Sequence, residues 1–132
     1  MSGGTYDKRD TKHFMPKDFS HHFRALIEPH LPPDSRIVIP PGGPDLVIMV
    51  TWRLSTDPAR PTKRSRMIRI VISEEALDDY RTGSDGVRQA SDQRLLTWLQ
   101  RKLAVFDPHH DAPIGTEPTP VTWNLATLEL NA

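Results

Sequence analysis

The sequence predicts an α+β fold in the order α-β-β-β-α-α-β: a mostly antiparallel sheet of about four strands with helices packed on one face. Three observations carry that prediction. Two runs, Asp45–Leu54 and Arg66–Ser73, alternate apolar and polar residues with the period of a half-buried strand. A long amphipathic segment between Asp85 and Phe106 has helical spacing. A tryptophan-bearing run, Val121–Leu125, supplies a final strand after a proline-rich loop.

Taken in order, residues 1–13 are polar and aperiodic, which fits a disordered tail, and 14–132 read as a single domain. The first helix covers Pro16–Glu28, with Phe19, Phe23, Leu26 and Ile27 on one stripe, and Pro29, Pro32 and Pro33 end it. A short strand at Arg36–Ile39 is bounded by Pro40-Pro-Gly-Gly-Pro44. In the alternating pair, Leu46, Ile48, Val50, Trp52 and Leu54 share one face with Ile68, Ile70 and Ile72, and these eight are the expected sheet core. Ser73 is placed to cap a short helix whose Ala76, Leu77 and Tyr80 look inward and whose Glu74, Glu75, Asp78 and Asp79 face water. The long helix presents Val87, Ala90, Leu95, Leu99, Leu103 and Phe106 as its stripe, widened by Leu96 and Trp98, with Ser84 and Ser91 as alternative caps. The last strand can continue to Leu130 through a bulge. If it runs parallel to the third strand, the intervening helices form the crossover. Trp52, Trp98 and Trp123 all fall at core positions.

Bulk composition narrows the function classes. The 132 residues contain no cysteine, which removes disulfides, thiolate metal sites and cysteine nucleophiles. Seventeen basic residues equal seventeen acidic ones, so no global field attracts nucleic acid or a membrane. No apolar run approaches the roughly 20 residues that span a bilayer, and residues 1–12 lack the apolar core of a secretory signal. The expected location is cytoplasmic, with no membrane partner.

Charge is nevertheless uneven. Arg53, Arg60, Lys63, Arg64, Arg66 and Arg69 crowd one stretch against the single acid Asp57. One reading makes loop 60–69 a basic arm whose Arg60, Lys63, Arg64 and Arg66 touch phosphates of nucleic acid or another polyanion. The other makes it a solvated hairpin loop that keeps sheet edges apart and is balanced by nearby acids. The loop contains no aromatic residue for base stacking.

No catalytic set emerges. His109-His110-Asp111, with His21 or His22, could ligate a metal, but histidines spaced for a zinc hydrolase are absent, and no metal or cofactor is assigned. Ser20 and Ser65 lack a nucleophile elbow, and Gly42, Gly43, Gly83 and Gly86 are turn formers rather than a phosphate cradle. The second sheet face, Val47, Met49, Thr51, Met67 and Val71, is too apolar for ordinary water-facing positions and marks a candidate interaction surface.

With Ile72-Ser-Glu-Glu-Ala-Leu77, the long helix, Phe106-Asp-Pro-His-His-Asp111 and the tryptophan-bearing last strand, the chain resembles one of the small uncharacterised bacterial domain families over about residues 16–126. The resemblance implies a bacterial cytoplasmic accessory protein and brings no catalytic residues with it. The expected function is a non-enzymatic binding or regulatory domain working through protein–protein contact, with an unknown partner or a second copy as a homodimer. The alternative is the nucleic-acid or polyanion-binding accessory protein that uses the basic loop.

Overall fold

The computed structural model describes residues 16–54, 59, 63–110, 112–113 and 116–125. The expected tail at 1–13, the extension of the last strand toward Leu130, and Arg60 and Asp111 lie outside them. The elements are α1 (Pro16–Ile27), a 3₁₀ turn (Glu28–His30), β1 (Arg36–Val38), β2 (Leu46–Thr51), β3 (Ile68–Ile72), α2 (Glu74–Thr82), α3 (Asp85–Ala104) and β4 (Val121–Leu125). The strands form one sheet in the order β1-β2-β3-β4. The first two pairings are antiparallel, and β4 joins β3 in parallel, so α2 and α3 form the connection between parallel neighbours. Among the described residues, no helix is long and apolar enough to cross a membrane.

The core follows from strand parity. All eight expected positions, Leu46, Ile48, Val50, Trp52, Leu54, Ile68, Ile70 and Ile72, are buried. They form one cluster with Phe19, Phe23 and Ile27 of α1, Ala76, Leu77 and Tyr80 of α2, and Leu95, Trp98 and Leu99 of α3. The helices therefore share one face of the sheet. Ile72 is fully buried, at 0 % exposure, where its β-branched side chain suits a pleated surface packed from above.

Helix ends are set by local chemistry. Ser73 accepts the Ala76 amide at 3.2 Å, and the Asp45 carboxylate accepts the Glu74 amide at 2.9 Å, so two otherwise orphaned donors of the α2 start are satisfied. Of the two candidate caps for α3, Ser84 is used and accepts from Val87. Ser91 is instead a buried helix-interior residue. The expected α3 stripe is thereby corrected in its first two turns. The inward face runs through Ser91, Leu95, Trp98 and Leu99, while Val87 and Ala90 are exposed. Val87 leans back over Gly83 instead, its Cγ1 only 2.9 Å from where a Cβ on that glycine would sit. The α2–α3 corner thus claims Val87 before α3 reaches the sheet.

The β2–β3 ladder continues past both strands, but its phase changes. Val50 pairs with Ile68, whereas Arg53 bridges Arg64. Three steps on one side match four on the other, so the β3 side carries one extra residue, a bulge between Arg64 and Ile68. Ser65 consequently turns inward and becomes buried, although it shares the odd parity of the second face. Its hydroxyl accepts the Trp52 amide at 3.0 Å, its own amide donates to Trp52 O at 2.7 Å, and Leu54 N donates to Lys63 O at 2.8 Å. The Arg66 amide turns out of the ladder and reaches Pro108 O at 3.0 Å. An edge-to-face chain of rings, Trp52–Phe106–Trp123–Trp98, with centroids 5.6–6.1 Å apart, then ties this extension to the end of α3 and to β4.

Urea denaturation of point variants tests this packing. Ile72→Ala should lower stability by about 2–5 kcal/mol, because a fully buried branched side chain leaves a cavity. Ser65→Ala should cost about 1–3 kcal/mol by stranding the buried Trp52 amide. Val38→Ala, at a position 49 % exposed, should fall within about 1 kcal/mol of the parent protein.

Candidate functional site

Opposite the helices lies a face built by the same alternation. Cross-strand register places Val38, Met49, Arg69 and Thr122 in one row, and Val47, Val71 and Asn124 in the next. Arg36 and Thr51 form a third row, followed by the Arg53–Arg64 bridge. Val47, Met49, Thr51, Met67 and Val71 are all partly exposed, and none belongs to the helix-covered core cluster. The register therefore sets Val47, Met49, Thr51 and Val71 on one face, while Met67 stands just before β3, outside the registered pairs. The polarity of that face is graded: valines and Met49 toward one end, arginines toward the other. Arg69 sits between them, and its Nε is buried without a hydrogen-bond partner among the described residues.

The basic loop does not behave as a free arm over its described part. Lys63 Nζ donates to His110 O at 2.8 Å, and Arg66 donates to Thr119 O at 3.3 Å. Both cations therefore tie the hairpin extension to the proline-rich segment preceding β4. His110 completes the tie, with Nε2 donating to Arg64 O at 3.0 Å and Nδ1 accepting from the Ala112 amide at 3.3 Å. These bonds assign the Nε2–H tautomer. Lys63 and Arg66 thus each meet a backbone carbonyl of the segment preceding β4. Asp78 pairs with Arg81 of its own helix at 2.6 Å.

Arg64 has a different setting. The bulge turns it onto the second face, where Nε and Nη2 donate to Thr51 Oγ1 at 3.2 and 3.1 Å and Nη2 also donates to Thr51 O at 2.9 Å and Asp34 O at 3.2 Å. Asp34 holds a left-handed backbone, φ 61°, a conformation aspartate tolerates better than most residues, and this turns its carbonyl toward Arg64. Arg24, Arg36, Arg53 and Arg64 line a depression of about 410 Å³ with Asp34 and Ser35. Asp34 approaches Arg53 at 3.9 Å, both half-exposed or more. Burial first, then the neighbouring charge of Arg36, holds the Arg64 guanidinium below its ordinary value. No run in the sequence announces this quartet. It comes from the end of α1, from β1 and from both sides of the bulged ladder.

A polar knot joins the three helices. Tyr80 Oη donates to Asp92 Oδ1 at 3.0 Å and lies 2.6 Å from His22 Nε2, which is itself 3.2 Å from Asp92 Oδ1. Because the phenol proton points to the carboxylate, His22 donates through Nε2–H. His22 thus packs against α2 and α3, away from His109 and His110, and among the described residues no group of three metal-ligating side chains forms. His21, His30 and His109 are exposed, and Glu74, Glu75, Asp78 and Asp79 face water. Neither Tyr80 nor Asp92 lines the arginine depression. Comparison with protein-family models, curated proteins and solved structures found no match to this chain.

Tyr80 yields a pH dependence. Burial first, then the adjacent Asp92 charge and its hydrogen bond, pushes the phenol above its usual value of 10.0. The folded chain keeps this proton after the unfolded chain has released it, so the stabilisation is complete below about pH 10 and falls as pH rises beyond that. Tyr80→Phe should cost about 1–3 kcal/mol at neutral pH, since Asp92 and His22 lose a partner. The advantage of the parent protein over Tyr80→Phe should shrink between about pH 9.5 and 11 in urea titrations, and a constant difference across that window would contradict the assignment.

Proposed function

We propose that this protein is a non-enzymatic binding or regulatory domain that engages another protein through its second sheet face. The observation carrying the proposal is the combination on that face: a partly exposed apolar strip, Val47, Met49 and Val71, beside an Arg69 whose Nε is buried and unpartnered among the described residues. A buried, unsatisfied donor carries a free-energy cost, and a partner carboxylate that draws the Arg69 side chain outward removes it through a charge-assisted bond. The fitting partner is therefore an apolar protein segment that carries an aspartate or glutamate. A cytoplasmic location belongs to the same reading, since a cysteine-free chain needs no oxidising compartment.

Self-association is the less supported form of this contact. Two identical faces stacked about a two-fold axis along the strands would set the arginine-bearing ends of the two copies near like charges. Nucleic-acid binding by the loop also draws less support, because Lys63 and Arg66 are bonded to carbonyls and Trp52, Trp98 and Trp123 are buried rather than offered to bases.

Affinity capture from the source cell, comparing the parent chain with Met49→Glu and Arg69→Glu, tests the proposal. Both variants should retain the parent circular dichroism and lie within about 1 kcal/mol in stability, as expected for partly exposed positions. A protein retained by the parent and lost with both variants is the expected result. Identical captures from all three baits would refute the contact. Concentration-dependent sedimentation to a dimer, abolished by Met49→Glu, would replace the hetero-partner with a second copy.

A further inference from the structure

We propose that the depression lined by Arg24, Arg36, Arg53 and Arg64 is a binding site for a small polyphosphate, a ligand with two adjacent phosphate groups. This site is independent of the protein contact, since it uses the arginine end of the face and the β1 edge rather than the apolar strip.

Charge density comes first. Four arginines, Arg24, Arg36, Arg53 and Arg64, line the depression together with Asp34. Asp34 is the one acid among its described lining residues, and it stands 3.9 Å from Arg53 with 66 % side-chain exposure. In a chain whose basic and acidic residues are equal in number, four guanidiniums from three separate regions of the fold converge at one place. Like charges brought together oppose folding, and Arg64 registers that opposition from both Arg36 and Arg53. A polyanion turns the same arrangement from repulsive to attractive.

Preorganisation comes second. Arg64 is held in place through Nε and Nη2 by Thr51 and the Asp34 carbonyl, so little side-chain freedom remains to be lost when a ligand arrives. The guanidiniums around it offer planar paired donors that match phosphate oxygens in a bidentate manner.

The lining also specifies the ligand class. About 410 Å³ exceeds what a single phosphate fills and sits within the range of small-molecule sites. No aromatic side chain lines the depression among the described residues, so a nucleobase finds no stacking platform, and recognition rests on the phosphates.

The full chain is titrated with inorganic pyrophosphate, orthophosphate and sodium sulfate at matched ionic strength, with a single-stranded oligonucleotide as a further arm, by calorimetry and thermal unfolding. Pyrophosphate should raise the melting temperature by about 5–10 °C at about 100 times its dissociation constant and bind at least about tenfold more tightly than orthophosphate. Arg36→Gln and Arg53→Gln, both at exposed positions, should each weaken binding about tenfold, whereas Arg101→Gln on the exposed side of α3 should not change it. Equal stabilisation by pyrophosphate and sulfate, or binding that survives both substitutions, would overturn the site. Orthophosphate binding as tight as pyrophosphate would overturn the two-phosphate class, and preferential binding of the oligonucleotide would reassign the arginines to a nucleic-acid backbone.

Discussion

The antiparallel pairing of β2 with β3 is the constraint on which the rest of the molecule rests. Side chains along a strand alternate with a period of two, so the register Val50–Ile68 decides at one stroke which residues meet the helices and which face away. With that register, Leu46, Ile48, Val50, Ile68, Ile70 and Ile72 form the floor onto which α1, α2 and α3 dock. A slip by one residue would bury Met49, Arg69 and Val71 in their place and strand a guanidinium under three helices. The penalty for an unpaired buried charge is several kcal/mol, comparable with the net stability of a domain of this size. Register is therefore strongly specified here, and β1 and β4 add to the two edges of an already determined pair.

The same ladder also creates the charged end of the opposite face. The extra residue between Arg64 and Ile68 reverses the parity of the hairpin extension, turning Ser65 inward to serve the Trp52 amide and Arg64 outward beside Arg53. Core satisfaction and cationic clustering are thus two consequences of one bulge. At the protein surface each pair of unit charges a few ångströms apart contributes roughly 1–4 kcal/mol, depending on solvent screening. That repulsion is partly offset by the bonds from Arg64 to Thr51 and Asp34. On the helix side of the sheet, the Tyr80–Asp92–His22 knot has a complementary role. It satisfies polar groups where three helices converge and lets α1, α2 and α3 pack as one layer.

Much of the fold is legible residue by residue because it rests on local periodicity and local capping. The alternation of Leu46 through Leu54, the stripe Phe19–Phe23–Ile27 and the capping role of Ser73 each depend on a few neighbours in sequence. Legibility ends where elements compete for one side chain. Val87 fits the helical stripe of α3, yet the turn at Gly83 places it against α2, and the polar Ser91 occupies the buried position instead. The loop cations show the same limit. Lys63, Arg64 and Arg66 read alike in the chain, but the carbonyls they meet belong to His110, Thr51 and Thr119, and nothing near them in sequence distinguishes their partners.

The amino-acid sequence by itself determined the fold class, the order of the elements, the eight-residue core face of the central strands and the identity of the second face as semi-apolar. These properties follow from hydrophobic period and from turn and cap chemistry, which act over a few residues. Tertiary structure alone decided the parallel placement of β4, the phase change at the bulge, the knot of His22, Tyr80 and Asp92, and the convergence of Arg24, Arg36, Arg53 and Arg64. Each of these joins residues far apart along the chain, and such meetings depend on how whole elements pack rather than on any pattern within one of them.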